Sequence, residues 1–289
     1  NNVILGGMGG DHITTGNGID TILGDNGVIE RDATGQHFTH IASFTQPQVT
    51  DLGGGDTITS GDGQKIVLGG DGGDTVQLAV GSSTASDHIV IGDNGSIDYV
   101  AGTDLPLRYQ TTDTVAGTGG DDVIGTGNGN NVILGGMGGD HITTGNGTQT
   151  LLGDNGHITM DPSGHFFQSV TSILPDLGGS DQMIGGDGSM LVLGGLGDDT
   201  IRVGTGDHLL LGDSGQVAYG PTGLLSHVNS MAPELGGNDL IGTGDGNSLV
   251  LGGAGDDQVT TGAGNDVLVG DNGDIRFDGA GLVAAVITT

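Results

Sequence analysis

The sequence contains no cysteine and no tryptophan, and only 3% of its 289 residues are aromatic. The absence of cysteine excludes a disulfide framework and a thiolate metal site. Large apolar side chains are too few for an ordinary globular core of this length. No apolar run reaches the roughly 18 residues that a membrane-spanning helix requires, so we predict no membrane span.

Basic residues are also scarce. Five Lys and Arg face 36 Asp and Glu, which gives a formal net charge of −31. Such a chain would repel phosphates, so we predict no nucleic-acid partner. Only Glu30 and Glu234 are glutamates, and every other acidic residue is Asp. Because the short Asp carboxylate can fold back toward the backbone in a tight turn, the acidity points to turns rather than to a solvated surface.

What the chain has in abundance is glycine, 65 residues in all, and the glycines recur with a period of nine. Each nonapeptide has a Gly-Gly-x-Gly-x-Asp turn and then three strand residues, the middle one aliphatic. A short fixed period of this kind predicts an all-β parallel solenoid, or β-roll, whose stacked half-coils bury a shared core, with no helix longer than a turn. The central residues predicted to face inward are Ile58, Val67, Val76, Ile124, Ile133, Ile142, Leu151, Val192, Ile201, Leu210, Ile241, Val250, Val259 and Leu268.

A longer period of about 59 residues is superimposed on the nonapeptides. Gly-Asp-Asn-Gly begins at Gly24, Gly92, Gly153 and Gly270, with Gly-Asp-Ser-Gly at Gly212. Each unit has four nonapeptides, then this turn, then an irregular strand-turn-strand excursion, which we interpret as three coils. One continuous array is predicted over 1–289, with units at about 1–50, 51–116, 117–175, 176–233 and 234–289, the first and last partial. Residues 1–18 and 130–147 are identical, which indicates duplication of a two-unit block.

All eight aromatic residues lie in the excursions or in the strands that lead into them: Phe38, Phe44, Tyr99, Tyr109, Phe166, Phe167, Tyr219 and Phe277. One interpretation is that the excursions thicken the core or cover one side of the roll. The other is that they are lateral contact surfaces for neighbouring copies of the chain. The second interpretation predicts Phe166 and Phe167 buried between chains.

Glycine-rich turns that end in Asp favour calcium, which takes six to eight oxygen ligands from carboxylates and backbone carbonyls. Ordering nine residues costs about 9–18 kcal/mol, and burying one Ile or Val returns only about 1.5–3 kcal/mol. Metal binding coupled to folding would help to offset the difference. The alternative is that each Asp only caps its turn through Asx-type hydrogen bonds. A dozen or more at one period, with few cations to balance them, favour Ca²⁺ sites.

The candidate ligands divide between the two edges of the solenoid. Sixth-position aspartates of the first and third nonapeptides lie on one edge, which we predict to be well occupied: Asp11, Asp56, Asp74, Asp122, Asp140, Asp181, Asp199, Asp239 and Asp257. The Gly-Asp-Asn-Gly and Gly-Asp-Ser-Gly aspartates are predicted to continue this file: Asp25, Asp93, Asp154, Asp213 and Asp271. The other edge is predicted to be patchy, with Asp20 and Asp266 as candidate ligands but Lys65, Gln149 or His208 elsewhere. Third-position Asp62, Asp187 and Asp245 are candidates to compensate in part.

The nonapeptides Gly252-Gly253-Ala254-Gly255-Asp256-Asp257-Gln258-Val259-Thr260 and Gly194-Gly195-Leu196-Gly197-Asp198-Asp199-Thr200-Ile201-Arg202 resemble the glycine-rich repeat of RTX proteins, the hemolysin-type calcium-binding family. The resemblance covers most of the chain outside the excursions. It implies a right-handed parallel β-roll with Ca²⁺ between successive turns. It also implies a bacterial protein exported through a type I system, unfolded in the calcium-poor cytosol and folded outside the cell.

Three functions are compatible with these observations. The array is predicted to be a calcium-rigidified stalk, filament or adhesin segment of a secreted or cell-surface protein. The alternative is the calcium-folding module of a secreted enzyme or toxin whose active domain lies elsewhere. A third is an ice-binding face of outward threonines such as Thr14 and Thr143, whose ranks are interrupted at Gln77 and Arg202. The nine histidines form no catalytic motif, so we predict no enzymatic activity in this chain.

Overall fold

The computed structural model describes residues 1–44 and 53–288. Within these residues the chain forms 29 β-strands and no helix, which confirms the predicted all-β class. The described part accordingly has no helix that is long and apolar enough to cross a membrane. The predicted boundary between the first two units, at 50–51, lies outside the described residues.

Ten parallel strands form a central sheet in the order β1-β3-β7-β9-β13-β15-β19-β21-β25-β27. Each strand pairs with the strand one coil away, for example Leu151 with Val192. The strands are β1 (Asn2–Leu5), β3 (Asp20–Leu23), β7 (Lys65–Leu68), β9 (His88–Ile91), β13 (Asn131–Gly136), β15 (Gln149–Asp154), β19 (Met190–Gly195), β21 (His208–Asp213), β25 (Ser248–Gly253) and β27 (Val267–Asp271).

Nine parallel strands form a flanking sheet, which contributes the other half of each coil, in the order β2-β6-β8-β12-β14-β18-β20-β24-β26. They are β2 (His12–Thr15), β6 (Thr57–Ser60), β8 (Thr75–Leu78), β12 (Val123–Thr126), β14 (His141–Thr143), β18 (Gln182–Ile184), β20 (Thr200–Val203), β24 (Leu240–Thr243) and β26 (Gln258–Thr260). Odd and even nonapeptides therefore lie in different sheets, as the parity of the repeat predicts.

The core between these two sheets is built from the central residue of each nonapeptide. Of the fourteen that the sequence predicts to face inward, twelve are fully buried in this core. Val259 in β26 is partly buried against the core, and Leu268 in β27 is 51% exposed. These two exceptions lie in the terminal strands of their sheets, which have a neighbouring coil on one side only.

One outward rank of the flanking sheet contains the threonines considered for an ice-binding face. In register order this rank is Thr14, Thr59, Gln77, Gly125, Thr143, Ile184, Arg202, Gly242 and Thr260. Fewer than half of these residues are threonine. The rank therefore lacks the regular spacing of hydroxyl and methyl groups that the ice-binding interpretation requires.

The excursions form a third, antiparallel sheet of five hairpins in the order β29-β28-β23-β22-β17-β16-β11-β10-β5-β4. Its strands are β4 (Gly27–Arg31), β5 (Phe38–Ser43), β10 (Gly95–Tyr99), β11 (Pro106–Thr111), β16 (Gly156–Met160), β17 (Phe167–Ser172), β22 (Gly215–Tyr219), β23 (Leu225–Ser230), β28 (Gly273–Phe277) and β29 (Val283–Thr288). Because the hairpin leaves the roll, a unit contains two coils and one hairpin. The interpretation of three coils is wrong.

The hairpin sheet packs on the outer face of the central sheet. Its inward residues, such as Ile97 and Val217, meet central-sheet side chains such as Leu68 and Leu211 in a second core. Each central strand is therefore covered on both faces. Such burial produces the unbroken apolar runs of β19 and β21, in place of the alternation of a half-exposed strand.

The aromatic side chains lie mostly in this second core. Tyr99 and Tyr109 are buried, and the ring centroids of Phe38 and Tyr99 are 5.7 Å apart. Phe167 is partly buried against the same core and lies 6.2 Å from Tyr219. The structure therefore favours excursions that cover one side of the roll. It gives no support to Phe167 as a contact between chains, so self-association stays a prediction.

Candidate metal-binding edge

The first edge of the solenoid consists of the turns that lead from a central strand to the next flanking strand. The turn between β7 and β8, residues 69–74, is representative. Gly70 and Gly72 have φ values of 122° and 95°, which side chains resist, so the turn depends on glycine there. It delivers Asp74 to the start of β8 with its side chain pointing into the stack.

The nine predicted sixth-position aspartates lie in one file along this edge. The backbone N–H of Asp56 donates to Oδ1 of Asp74 at 2.7 Å, and that of Asp74 donates to Oδ1 of Asp122 at 2.7 Å. The same bond joins Asp122 to Asp140 at 2.8 Å. The ladder is unbroken from Asp11 to Asp257, with all its bonds between 2.6 and 2.9 Å. In eight of these residues, Asp56 to Asp257, one carboxylate oxygen thus accepts the N–H of an adjacent coil, so the interpretation that each Asp only caps its own turn is wrong for these bonds.

The second oxygen of each of these carboxylates has no partner. Oδ2 is buried without a hydrogen bond in all nine residues: Asp11, Asp56, Asp74, Asp122, Asp140, Asp181, Asp199, Asp239 and Asp257. A buried acceptor that is left unsatisfied costs about 1–3 kcal/mol, and more when it is charged. Nine such atoms in one line are a repeated feature and call for a ligand of opposite charge.

Each unpartnered oxygen lies in a cradle formed by glycine backbone. A Cβ added to Gly69 would lie 2.0 Å from Oδ2 of Asp74 and 1.9 Å from the carbonyl oxygen of Gly92. The same pair of oxygens surrounds Gly135, where Oδ2 of Asp140 is 2.0 Å from the added atom. The first glycine of the turn thus keeps a carboxylate oxygen and a carbonyl oxygen close together, with no side chain between them.

Burial and neighbouring charges act together on the file. Burial raises the pKa of Asp56 to about 6, of Asp74 to about 8 and of Asp239 to about 7. In the middle of the array, burial and the like charge of neighbouring aspartates raise the pKa of Asp122 and Asp140 well above 3.8. Burial and like charge therefore oppose full ionisation of the file in the folded chain unless positive charge is supplied.

The Gly-Asp-Asn-Gly and Gly-Asp-Ser-Gly aspartates lie beside the file but have different contacts. Asp154 accepts the N–H of Gly179 on Oδ1 at 2.9 Å and the N–H of Leu196 on Oδ2. Asp93 and Asp213 likewise each bracket two turns through backbone N–H groups. Asp25 accepts the N–H of Asp71 at 2.7 Å, and its Oδ1 is unpartnered. Asp271 is exposed in β27.

The second edge, where flanking strands return to central strands, uses a different set of contacts. Asp20 is 1% exposed, and its Oδ2 lies 3.6 Å from Nζ of Lys65. Burial opposes ionisation of Asp20, but hydrogen bonds from Asn2 and the charge of Lys65 outweigh it and lower the pKa. Asp266 accepts the N–H of Ser248 at 2.9 Å. This edge has no unbroken file of carboxylates.

The third-position aspartates of the second edge do not supplement a carboxylate file. Oδ1 of Asp187 accepts the N–H of Thr205 at 2.8 Å, and Oδ1 of Asp245 accepts the N–H of Ala263 at 2.8 Å. The carbonyl oxygen of Asp62 accepts a hydrogen bond from Lys65. These residues join neighbouring turns, as Asn128 also does through the N–H of Asn146.

Side chains alone do not complete a metal site on either edge. Across residues 1–44 and 53–288, no three His, Asp or Glu side chains converge in a way that could hold a metal ion. A cation on the first edge would therefore take backbone carbonyl oxygens among its ligands, as calcium commonly does.

Sequence reasoning missed the roles of two groups at these edges. One is the first glycine of each turn, such as Gly69, whose missing side chain opens the cradle. Its signal is the glycine that ends or follows the central strand in successive coils, as at Gly69 and Gly92. The other is Lys65, one of five basic residues in the chain, placed at the sixth position of a nonapeptide.

Comparison of the chain with protein-family models, curated proteins and solved structures finds no match.

We predict that Gly69→Ala destabilises the protein by about 1–3 kcal/mol, because a methyl group there overlaps two oxygens. Gly242→Ala is the matched control, since a Cβ at Gly242 has no atom within 4 Å. Urea unfolding followed by circular dichroism measures both. Equal stabilities of the two variants would mean that the turn opens readily to admit a side chain.

We also predict that the metal-stripped protein is more stable near about pH 5 than near about pH 8. Eight aspartates of the file, those from Asp56 to Asp257, have folded-state pKa values above the ordinary value of 3.8, for example about 8 for Asp74. Folding therefore takes up protons. This contribution is present at low pH and is lost as the pH rises through the folded-state values. Circular dichroism of protein freed of divalent cations on a chelating resin measures the folded fraction at each pH, and urea unfolding measures the stability wherever the protein folds.

Buried histidine has the opposite effect on the pH dependence of stability, because burial lowers the pKa of His88 to about 4. The few buried histidines are outnumbered by the aspartates of the file, so the aspartates determine whether stability rises or falls with pH. A metal-stripped protein that is more stable near about pH 8 would show that the carboxylates remain ionised without a counter-ion.

Proposed function

We propose that this chain is a calcium-binding structural repeat array, a stalk, filament or adhesin segment of a secreted or cell-surface protein, which folds and stiffens when Ca²⁺ binds along its first edge. The observation that carries the proposal is the file of nine carboxylates, each with a buried oxygen that has no partner. Secretion rests on the resemblance of the nonapeptides to RTX repeats.

The ligand chemistry of the edge suits a hard divalent cation. The donors near each unpartnered Oδ2 are oxygens only, a carboxylate and a glycine carbonyl such as that of Gly92. Successive coils are about 4.8 Å apart, which is close to twice the calcium–oxygen distance of about 2.3–2.6 Å. An ion between two rungs is therefore within reach of oxygens from both.

Two stacked turns of this chain already hold a positive charge between them, the ammonium of Lys65. On the second edge, Nζ of Lys65 donates to the carbonyl oxygens of Asp62 at 3.0 Å and Gly63 at 3.1 Å. It also donates to Gly18 and lies beside Asp20. Backbone carbonyls and one carboxylate thus converge on a cation between two coils, which supports a similar arrangement on the first edge.

The residues of the chain have separate tasks in this proposal. Oδ1 of each Asp from Asp56 to Asp257 holds the adjacent coil in register through its N–H, while Oδ2 and the glycine carbonyls would bind the ion. Calcium supplies the positive charge that lets neighbouring carboxylates remain ionised side by side. Because the ion joins groups from neighbouring coils, binding and folding are coupled.

The test is a calcium titration of the metal-stripped protein near neutral pH, followed by circular dichroism. We expect weak β-signal without calcium and a cooperative rise on adding it, because the ionised file opposes stacking until its charge is neutralised. Magnesium, which prefers octahedral sites and retains its waters, is the control ion and should be less effective. An unchanged β-signal in excess chelator would overturn the proposal.

Asp140→Asn tests the unpartnered oxygen separately from the ladder. The Asn side chain keeps an Oδ1 acceptor for the N–H of Asp122 and replaces Oδ2 with an amide. We expect the calcium concentration at half-maximal folding to rise at least about twofold. In calcium-free buffer near about pH 5 we expect the variant to be no less stable than the wild type, because Asn is neutral without taking up a proton, whereas burial raises the pKa of Asp140 and makes its ionised form costly.

Asp187→Asn is the matched control, since it removes the same charge and keeps the Oδ1 acceptor for the N–H of Thr205 on the second edge. It should change neither quantity appreciably. If Asp140→Asn behaved like Asp187→Asn in calcium, the first edge would not be the metal-binding edge.

A further inference from the structure

Lys65 is fully buried at the start of β7, an unusual location for a lysine. Its ammonium makes three hydrogen bonds to backbone carbonyl oxygens, of Gly18 in the coil before and of Asp62 and Gly63 in its own turn. Its fourth neighbour is Oδ2 of Asp20, at 3.6 Å. Two turns from successive coils are therefore joined through one positively charged atom.

The same nonapeptide position carries a nitrogen donor in other coils of this edge. Nε2 of Gln149 donates to Gly129 of the preceding coil at 2.9 Å and contacts the carbonyl of Gly145 in its own turn at 3.3 Å. Nε2 of His208 lies 3.0 Å from the carbonyl oxygen of Gly204. Side chains of three different chemistries thus point into the turns and bind the glycine carbonyls.

The first edge has the opposite arrangement. There the sixth position is always Asp, and its free oxygen adds negative charge to the cradle. Where a lysine replaces that Asp, the carbonyls already have a cation and the carboxylate of Asp20 already has a counter-ion. Metal has no remaining role in that stack.

We propose that the chain itself closes the turn stack of Gly18 and Gly63 on the second edge, with the Lys65 ammonium in the place of a bound metal ion. Strands β3 and β7 then need no metal ion of their own to stay together at this edge. This inference deepens the proposed function, because it assigns calcium dependence to the first edge alone and makes Lys65 a fixed cation of the second.

The experiment compares Lys65→Met, Lys65→Gln and Arg202→Met by hydrogen–deuterium exchange and mass spectrometry in calcium-containing buffer. Lys65→Met removes the ammonium and keeps an apolar stem. Arg202→Met removes the same charge from an exposed site on the flanking sheet. The informative peptides cover residues 16–23 and 61–68.

For Lys65→Met we expect exchange in these two peptides to be about tenfold faster than in Arg202→Met, because three hydrogen bonds and an ion pair are lost. Lys65→Gln should recover part of the protection, since Gln149 performs the same task elsewhere. A tenfold effect confined to these peptides supports the inference. Exchange within about twofold of Arg202→Met overturns it.

Failure of the calcium proposal would be seen separately. If wild-type circular dichroism were insensitive to chelator, the exchange comparison would be run in chelator with the same expected ratio between Lys65→Met and Arg202→Met. A small ratio there would overturn the Lys65 inference independently of the metal.

Discussion

The fold depends on one repeated hydrogen bond, from the backbone N–H of an Asp to Oδ1 of the equivalent Asp one coil later. Along the chain this bond alternates between partners 18 residues apart, as from Asp122 to Asp140, and partners separated by 40 or more, as from Asp74 to Asp122. Its length hardly changes, because each long interval contains a hairpin that leaves and re-enters the same turn. The ladder therefore sets the register, and the hairpins are inserted without disturbing it.

This ladder also places buried carboxylate oxygens along one edge, where their negative charge needs compensation. A neutral Asn could accept the same N–H group, as Asn128 does on the second edge. Using Asp instead places a second oxygen in a buried site where desolvation opposes its charge. Burying this second oxygen costs free energy on the first edge, and no such cost arises where Asn is used on the second edge. A bound cation is the group that could offset it. The asymmetry between the edges lies in which side chain follows each glycine turn.

Much of this was predictable from local sequence periodicity. The inward aliphatics such as Ile133 and the parity of odd and even nonapeptides follow from a period of nine, because each turn returns the chain to the same place in the stack. The division of roles among aspartates was not predictable. Asp154 and Asp140 both directly follow a glycine, yet one brackets two turns through N–H groups and the other has a free oxygen.

The hairpins were recognised as strand-turn-strand, but their assembly into a third sheet depends on contacts between units that no single repeat contains. For example, Tyr109 of β11 pairs with Ile158 of β16 in the next unit. The role of Lys65 was not predictable for the same reason. It depends on a contact with Gly18 in another coil, and residue spacing alone does not indicate that contact. Long-range partners of this kind become visible only when the coils are stacked.

The insertion of a hairpin into every second first-edge turn makes the whole unit exchangeable. A unit enters and leaves through equivalent turns, so copying a block, as the identical segments 1–18 and 130–147 indicate, changes neither the register of the ladder nor the sheet that follows. Two coils add about 10 Å along the axis. The length of the array is therefore set in fixed steps by the number of its units.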